Sequence, residues 1–184
     1  MSEANPVPLS AGPTLIDSLG SAGLRVVQTA TAEERSELAR LNGLVDITSL
    51  TATLLVRAEG RGGAWVTGSV VATIVQTCVI SLDSFETNVV EPVDVHFLPE
   101  ADLDAYRAAL LKRGPDPAED EQEEDEPDLL INGRIDLGAL TAEALTLGLD
   151  PYPKKPGVEF KELSPPEPDV SPFAALKSLD LRKS

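Results

Sequence analysis

The fold is decided by three long runs rich in β-branched residues: residues 45–58 (VDITSLTATLLVRA), 64–77 (AWVTGSVVATIVQT) and 85–98 (FETNVVEPVDVHFL). The first two runs are joined by Gly-Arg-Gly-Gly at 60–63, a turn rich in the residue that tolerates positive φ. In the third run, apolar side chains share one parity and polar side chains the other: Phe85, Val89, Val93, Val95 and Phe97 against Glu86, Asn88, Asp94 and His96. This alternation is typical of a half-buried antiparallel strand, and the short connections predict a meander.

Helix signals lie on both sides of these strands. Thr31-Ala-Glu-Glu34 is a capping box that predicts a helix over 32–41, and Gly43 is a left-handed stop beyond it. A short strand is predicted around residues 26–27, and another over 129–135, interrupted by Asn132-Gly133. Asp136 is a favourable cap for a helix over 137–149. The sequence therefore predicts the α+β class, with an antiparallel meander sheet and packed helices.

The chain divides into one domain and its appendages. Residues 21–150 form the predicted α+β domain, and residues 1–20 form a flexible segment with at most a short element over 14–19. Residues 99–128 form an insertion with 12 acidic and 3 basic residues, expected to be disordered apart from a helical turn or two over 105–112. Residues 151–184 are predicted to form a Pro-rich tether followed by a helical motif that Ser171 caps.

The net charge of the chain limits the kinds of partner that it can bind. The net charge of -16 opposes broad binding to phosphate backbones and suits association with basic proteins. The start of the chain lacks the pattern of a signal peptide, and no run approaches the roughly 18 apolar residues of a membrane span. We therefore expect a cytoplasmic protein without membrane or DNA partners. A single cysteine forms no intrachain disulfide.

The sequence has few residues that could serve catalysis or metal binding. Cys78 and His96 are the only thiol and imidazole; if the second and third runs pair near residues 81–84, Cys78 lies opposite about Glu86 and roughly 33 Å from His96. A closed zinc site needs four such ligands, and no nucleotide-binding or nucleophile-elbow motif occurs. We predict no enzyme, metal or cofactor. An enzyme remains a rival reading, with Asp136, Glu143 and Asp150 as default candidates.

Four features, in order, carry a resemblance to a known family. They are a β-rich region ending at Gln76-Thr-Cys78, an acidic insertion, Gly133-Arg-Ile-Asp-Leu137 leading into a helix with Glu143, and Ser171-Pro-Phe-Ala-Ala-Leu-Lys-Ser-Leu179. Over roughly residues 20–184 the chain resembles the YceD-like family of large ribosomal RNA subunit accumulation proteins. Many members carry a Cys-x-x-Cys pair where this chain has Cys78-Val-Ile-Ser81, so a role for that pair does not transfer.

The resemblance implies a non-enzymatic factor in large ribosomal subunit production. With the charge, it predicts binding of a basic large-subunit ribosomal protein or a precursor particle, and an indirect association with ribosomal RNA is compatible with it. The predicted partner-binding residues are Phe173, Leu176 and Leu179, supported by Glu121, Glu123, Glu124, Asp125 and Glu126.

Three alternatives remain open. The C-terminal motif docks in a partner's groove or folds back on the domain. The acidic tract engages a partner or only solubilises the chain. A direct RNA-binding protein would require the basic residues on one face: Arg25, Arg57, Arg61, Arg134, Lys154 and Lys155.

Overall fold

The computed structural model describes residues 7–20, 22–113 and 126–160. Its strands are β1 (Thr14–Leu15), β2 (Leu24–Thr29), β3 (Asp46–Glu59), β4 (Gly63–Thr77), β5 (Ser84–Pro99), β6 (Asp128–Leu130) and β7 (Arg134–Ile135). Its α-helices are α1 (Ala32–Leu41), α2 (Glu100–Arg113) and α3 (Leu137–Leu147). A five-stranded sheet has the order β2-β3-β4-β5-β6, and β1 pairs with β7 in a separate two-stranded sheet.

The three long strands form the centre of the sheet, as the alternation predicts. β3 pairs with β4 and β4 with β5, all antiparallel, and α1 and α3 pack against the sheet. One face is apolar and closed: Leu54, Val66 and Val93 stand in neighbouring strands and are at most 4% exposed. The opposite face, which we call the open face, carries Thr53, Trp65 and Asp94 together with Val71 and Val90, which are 46% and 66% exposed. The two faces differ because the side-chain period in a strand is two residues. The predicted α+β class is confirmed.

One glycine allows β3 and β4 to pair closely. Gly68 lies opposite Leu54 with φ of 156°, and a Cβ there would lie 2.1 Å from the carbonyl oxygen of Thr53. No side chain fits in that space, so the middle of β4 requires glycine.

The structure corrects the strand predicted over 129–135. Asn132 and Gly133 both have positive φ, 52° and 65°, so the chain reverses sharply between Ile131 and Arg134. The predicted strand is therefore two strands in two sheets. β6 runs parallel to the end of β5, which adds a parallel strand to the predicted antiparallel meander.

The helix signals are confirmed at both N-termini. Thr31 and Glu34 form the predicted reciprocal capping box, and Gly43 has φ of 66° just beyond α1. Asp136 accepts a hydrogen bond from the amide of Ala139 at 2.9 Å and caps α3. The last turn of α3 ends at Leu147, two residues earlier than predicted.

Residues 7–20 correct the prediction of a flexible N-terminal segment over 1–20. Leu9 and Ile16 are buried, and Glu34 accepts hydrogen bonds from the amides of Leu9 and Ser10. Residues 14–15 form β1, which pairs with β7. Residues 7–20 are therefore part of the domain, held by contacts to chain segments distant in sequence.

Within the described residues, parts of the predicted appendages are also ordered. Residues 100–113 form a full helix, α2, anchored by the buried Leu103, where we expected a turn or two over 105–112. Residues 114–125 lie outside the described residues. The beginning of the predicted tether bonds to the turn between β4 and β5, since Val79 donates to the carbonyl of Pro153 at 2.9 Å.

Candidate functional site

Most residues predicted to bind a partner lie outside the described part of the chain. These are Phe173, Leu176, Leu179, Glu121, Glu123, Glu124 and Asp125. The remaining one, Glu126, is exposed and forms an ion pair of 2.5 Å with Arg107 of α2. Their role in partner binding stays a prediction.

A groove of about 660 Å³ lies between β6, β7 and the first turns of α3. Its apolar lining comes from distant parts of the chain: Leu15, Phe97, Leu129, Ile131, Ile135 and Leu140. Leu129 and Ile131 are 46% and 63% exposed, so they are unusually accessible for apolar side chains. We call this surface the β6–α3 groove.

The rim of the β6–α3 groove is acidic. Asp128, Asp136 and Glu143 line it together with a single cation, Arg134. All four are exposed, so their charges face an incoming partner. An apolar floor with three carboxylates at its rim suits a segment that carries apolar and basic side chains.

The three default candidates for catalysis do not form one cluster. Asp136 caps α3, and Asp150 accepts a hydrogen bond from the amide of Tyr152 at 2.8 Å. Glu143 and Asp136 both line the β6–α3 groove but are seven positions apart in sequence, while Asp150 follows the far end of α3. The side chains of Asp136 and Asp150 therefore accept hydrogen bonds from nearby backbone amides, as capping residues do.

The pairing of β4 and β5 keeps Cys78 and His96 apart. Thr77 lies opposite Ser84, and His96 is twelve positions farther along β5, roughly 40 Å at the rise of a strand. The predicted separation is confirmed. The predicted neighbour is wrong: Cys78 donates its amide to the carbonyl of Asp83 at 2.9 Å and does not lie opposite Glu86.

Cys78 instead has an environment that the sequence did not reveal. Its side chain is buried, and Sγ accepts amide hydrogen bonds from Ile80, Ser81 and Lys155 at 3.4, 3.5 and 3.3 Å. The amide of Ser81, then that of Lys155, lowers the pKa of the Cys78 thiol to about 6, although burial raises it. These donors stabilise a thiolate. Across the described ranges, no group of three or more His, Cys, Asp or Glu side chains could hold a metal ion.

The open face of the sheet carries an aromatic pair at one end. Trp65 and His96 are cross-strand neighbours whose rings stack with centroids 5.0 Å apart. Trp65 donates to Asp94 at 2.5 Å, and His96 contacts Glu59 at 3.1 Å. Both rings are thus engaged with carboxylates on the same face.

The basic residues proposed for an RNA surface are dispersed. Arg25 and Arg57 lie on the open face, Arg134 lines the β6–α3 groove, and Lys155 pairs with Asp83 at 3.6 Å. Lys154 lines a different cleft, beside β5. The side chain of Arg61 is outside the described part. The described cations therefore do not form the single patch that the RNA-binding alternative requires.

Comparison of the chain with protein-family models, with curated proteins and with solved structures found no match. Among the helices that the structure describes, none is long and apolar enough to cross a membrane. The sequence resemblance therefore stands on its own residues.

Proposed function

We propose that the protein is a non-enzymatic, cytoplasmic factor in large ribosomal subunit production that acts by binding a basic large-subunit ribosomal protein or a precursor particle. The observation that carries the binding part of this proposal is the β6–α3 groove, with its apolar floor and acidic rim. The sequence resemblance supplies the ribosomal part.

The electrostatics of the folded domain agree with a basic partner. Residues 99–128 carry -9 of the net charge of -16, so the rest of the chain still carries -7. A negative field of this kind accelerates the encounter with Lys- and Arg-rich segments and repels nucleic-acid backbones. The dispersed cations give the RNA-binding alternative no comparable surface.

The test is affinity capture from cell extract with identification by mass spectrometry, at low and moderate salt. The full chain is compared with the Asp128→Asn/Glu143→Gln variant of the groove rim. A matched control, Glu33→Gln/Glu159→Gln, changes the net charge equally at two exposed carboxylates that do not line the groove. Thermal unfolding checks that all three proteins are folded.

We expect the full chain and the control to retain the same basic large-subunit protein, and the groove variant to retain at least several-fold less at moderate salt. Equal retention by both variants would remove the groove from the proposal, and an equal loss in both would show that only overall charge matters. Enrichment of ribosomal RNA alone would favour the RNA-binding alternative. Absence of every ribosomal component would reject the proposed function.

A further inference from the structure

Among the residues that the structure describes, the outer edge of β5 is mostly unpaired. β5 pairs with β4 along Ser84–Phe97, while on its other side β6 covers only Phe97, Leu98 and Pro99. No other strand of the described chain pairs with the outer side of residues 84–96. This is an unusually long free edge, because most proteins shorten or cover such edges.

The hydrogen-bonding groups on this edge can be identified from the register. Val75 lies opposite Glu86, but its carbonyl accepts the amide of Val45 on the β3 side, at 2.9 Å. Backbone groups alternate sides along a strand, so Glu86 and every second residue after it point outward. Pro92 belongs to this set, and a proline fits in a strand only where its nitrogen faces no partner strand.

The edge therefore offers a regular ladder to an incoming strand. Outward amides are available at Glu86, Asn88, Val90, Asp94 and His96. Val90 is 66% exposed, so the middle of the edge is open to solvent.

A cleft of about 190 Å³ lies over the first half of β5. Residues 85–89 of β5 line it together with Ile74 and Gln76 of β4, and Gly148, Asp150, Lys154 and Pro156 complete the lining. Gly148 keeps the cleft narrow, since a Cβ there would lie 2.8 Å from Cγ1 of Val89. Backbone groups and a side-chain cleft thus run side by side, which is the arrangement that peptide-binding sheet edges use.

The charges along the edge select the occupant. Glu86 and Asp94 lie on one face of β5, whereas Glu91 is opposite the buried Val70 and lies on the other face. Asp150 lines the cleft with Glu86, and Lys154 is the one described cation that lines it. A second copy pairing through β5 would bring identical carboxylates together, which is unfavourable. A segment with alternating Lys or Arg would instead meet opposite charges.

We propose that the edge of β5 binds an extended, Lys- and Arg-rich peptide segment as an added strand. This rests on the proposed function for the class of partner, a basic protein, but it assigns a second surface and a conformation to the bound segment. The main-chain ladder supplies affinity, and the carboxylates of Glu86 and Asp94, which share one face of β5, select basic side chains.

The probe is a synthetic heptapeptide of alternating Lys and Thr, compared with the same peptide N-methylated at alternate amides. Methylation removes the hydrogen-bond donors of one edge and keeps the charge. Binding is measured by fluorescence anisotropy, and hydrogen exchange is followed at the amides of Glu86, Asn88 and Val90. We expect N-methylation on the pairing edge to weaken binding at least tenfold, and the unmodified peptide to slow exchange at those amides. Equal binding of both peptides, or unprotected amides, would overturn the proposal.

Two protein variants complement the peptide control. Val90→Pro removes one outward amide and leaves the ladder to β4 intact, so it should weaken the unmodified peptide at least several-fold. Glu86→Gln/Asp94→Asn should weaken it more than the charge-matched Glu33→Gln/Glu159→Gln. If the edge variants bind the peptide as the unmodified protein does, strand addition at β5 is rejected.

Failure of this inference is distinguishable from failure of the proposed function. Capture of a basic ribosomal protein that depends on the groove variant but not on Val90→Pro would retain the function and reject the edge. Peptide binding that N-methylation abolishes, without capture of any ribosomal component, would support the edge and reject the ribosomal assignment.

Discussion

The buried pair Gln28–Thr141 gives the sharpest stability test, because it joins β2 to α3 across 113 positions of sequence. Thr141 is fully buried and Gln28 is 3% exposed. The hydroxyl of Thr141 lies 2.9 Å from Oε1 of Gln28 and 2.8 Å from the carbonyl oxygen of Leu137. A hydroxyl has one proton, so it donates to one of these oxygens at a time.

Replacing Thr141 by Val keeps the shape and removes the hydroxyl. The amide of Gln28 then loses a partner in a site that water does not reach, and the cost of such a group is about 1–3 kcal/mol. Gln28→Leu removes the amide itself, leaving Thr141 its bond to Leu137. We expect the double variant to be less destabilised than the sum of the two single variants, by about 0.5–2 kcal/mol.

Thr146→Val is the matched control on the same helix. Thr146 makes the same pair of contacts, to the carbonyl of Ala142 and to the side chain of Asn42, both at 2.9 Å, but in an exposed position. Water replaces the lost partner there, so the change should remain within about 0.5 kcal/mol.

Guanidinium unfolding measures all four variants, with circular dichroism and the fluorescence of the single tryptophan, Trp65, as probes. Coincident transitions justify a two-state treatment. Additivity of Thr141→Val and Gln28→Leu within about 0.3 kcal/mol would refute the reasoning. So would a Thr146→Val cost equal to that of Thr141→Val, because burial would then have no effect.

Two further predictions concern pH. Partial burial raises the pKa of the Glu34 carboxyl, but amide hydrogen bonds from Thr31, Ser10 and Leu9 outweigh it and hold that pKa below 4.5. The contribution of the ionised Glu34 carboxyl to stability is therefore complete above pH 4.5 and is lost as the pH falls through the lowered pKa. Glu34→Ala should cost about 1–2 kcal/mol of stability at neutral pH and flatten the acid-unfolding curve. An unchanged acid-unfolding curve would contradict this. The pKa of Cys78 is lowered from 9.0 to about 6, so its contribution is complete above pH 9 and is lost as the pH falls towards 6. Cys78→Ala should remove this rise in stability between pH 6 and 9, and parallel curves for the two proteins would contradict it.

The sequence predicts those parts of the fold that local patterns determine. The long strands are readable because one face of each is buried, which forces alternation over many residues. The capping box of Thr31 and Glu34 is readable because both partners lie within one helical turn. The left-handed Asn132-Gly133 step predicted an interruption, but not that the strands on either side enter different sheets.

The features that the sequence did not predict depend on contacts between distant segments. Leu9 and Ile16 are buried, but the sequence around them has no periodic pattern of apolar residues. The sequence alone therefore predicts a flexible segment there. One of the three donors to the Cys78 thiol is the amide of Lys155, 77 residues later. Any residue except proline can supply a backbone amide, so no side-chain motif predicts such a site.

The β6–α3 groove could not be predicted from the sequence either, because its residues are distant from one another along the chain. Its lining combines Leu15 with Phe97 and with residues 128–143, which approach one another only after β6 adds in parallel to the end of β5. An exposed Leu or Ile is ordinary when considered singly. Only the structure shows that Leu129 and Ile131 line one groove together with Asp128, Asp136 and Glu143.

The arrangement of the acidic residues has a consequence for how a basic partner would be recognised. A concentrated acidic tract attracts cations at a distance, and this attraction is strongly screened by salt. The carboxylates of the groove rim and of the β5 edge are instead fixed beside an apolar floor and a backbone ladder, so they act at contact distance. Deleting residues 116–125 should therefore slow association, mainly at low salt, whereas variants of the groove or of β5 should speed dissociation. If the deletion alone abolished binding at moderate salt, recognition would reside in the tract, and the folded surfaces would only support it.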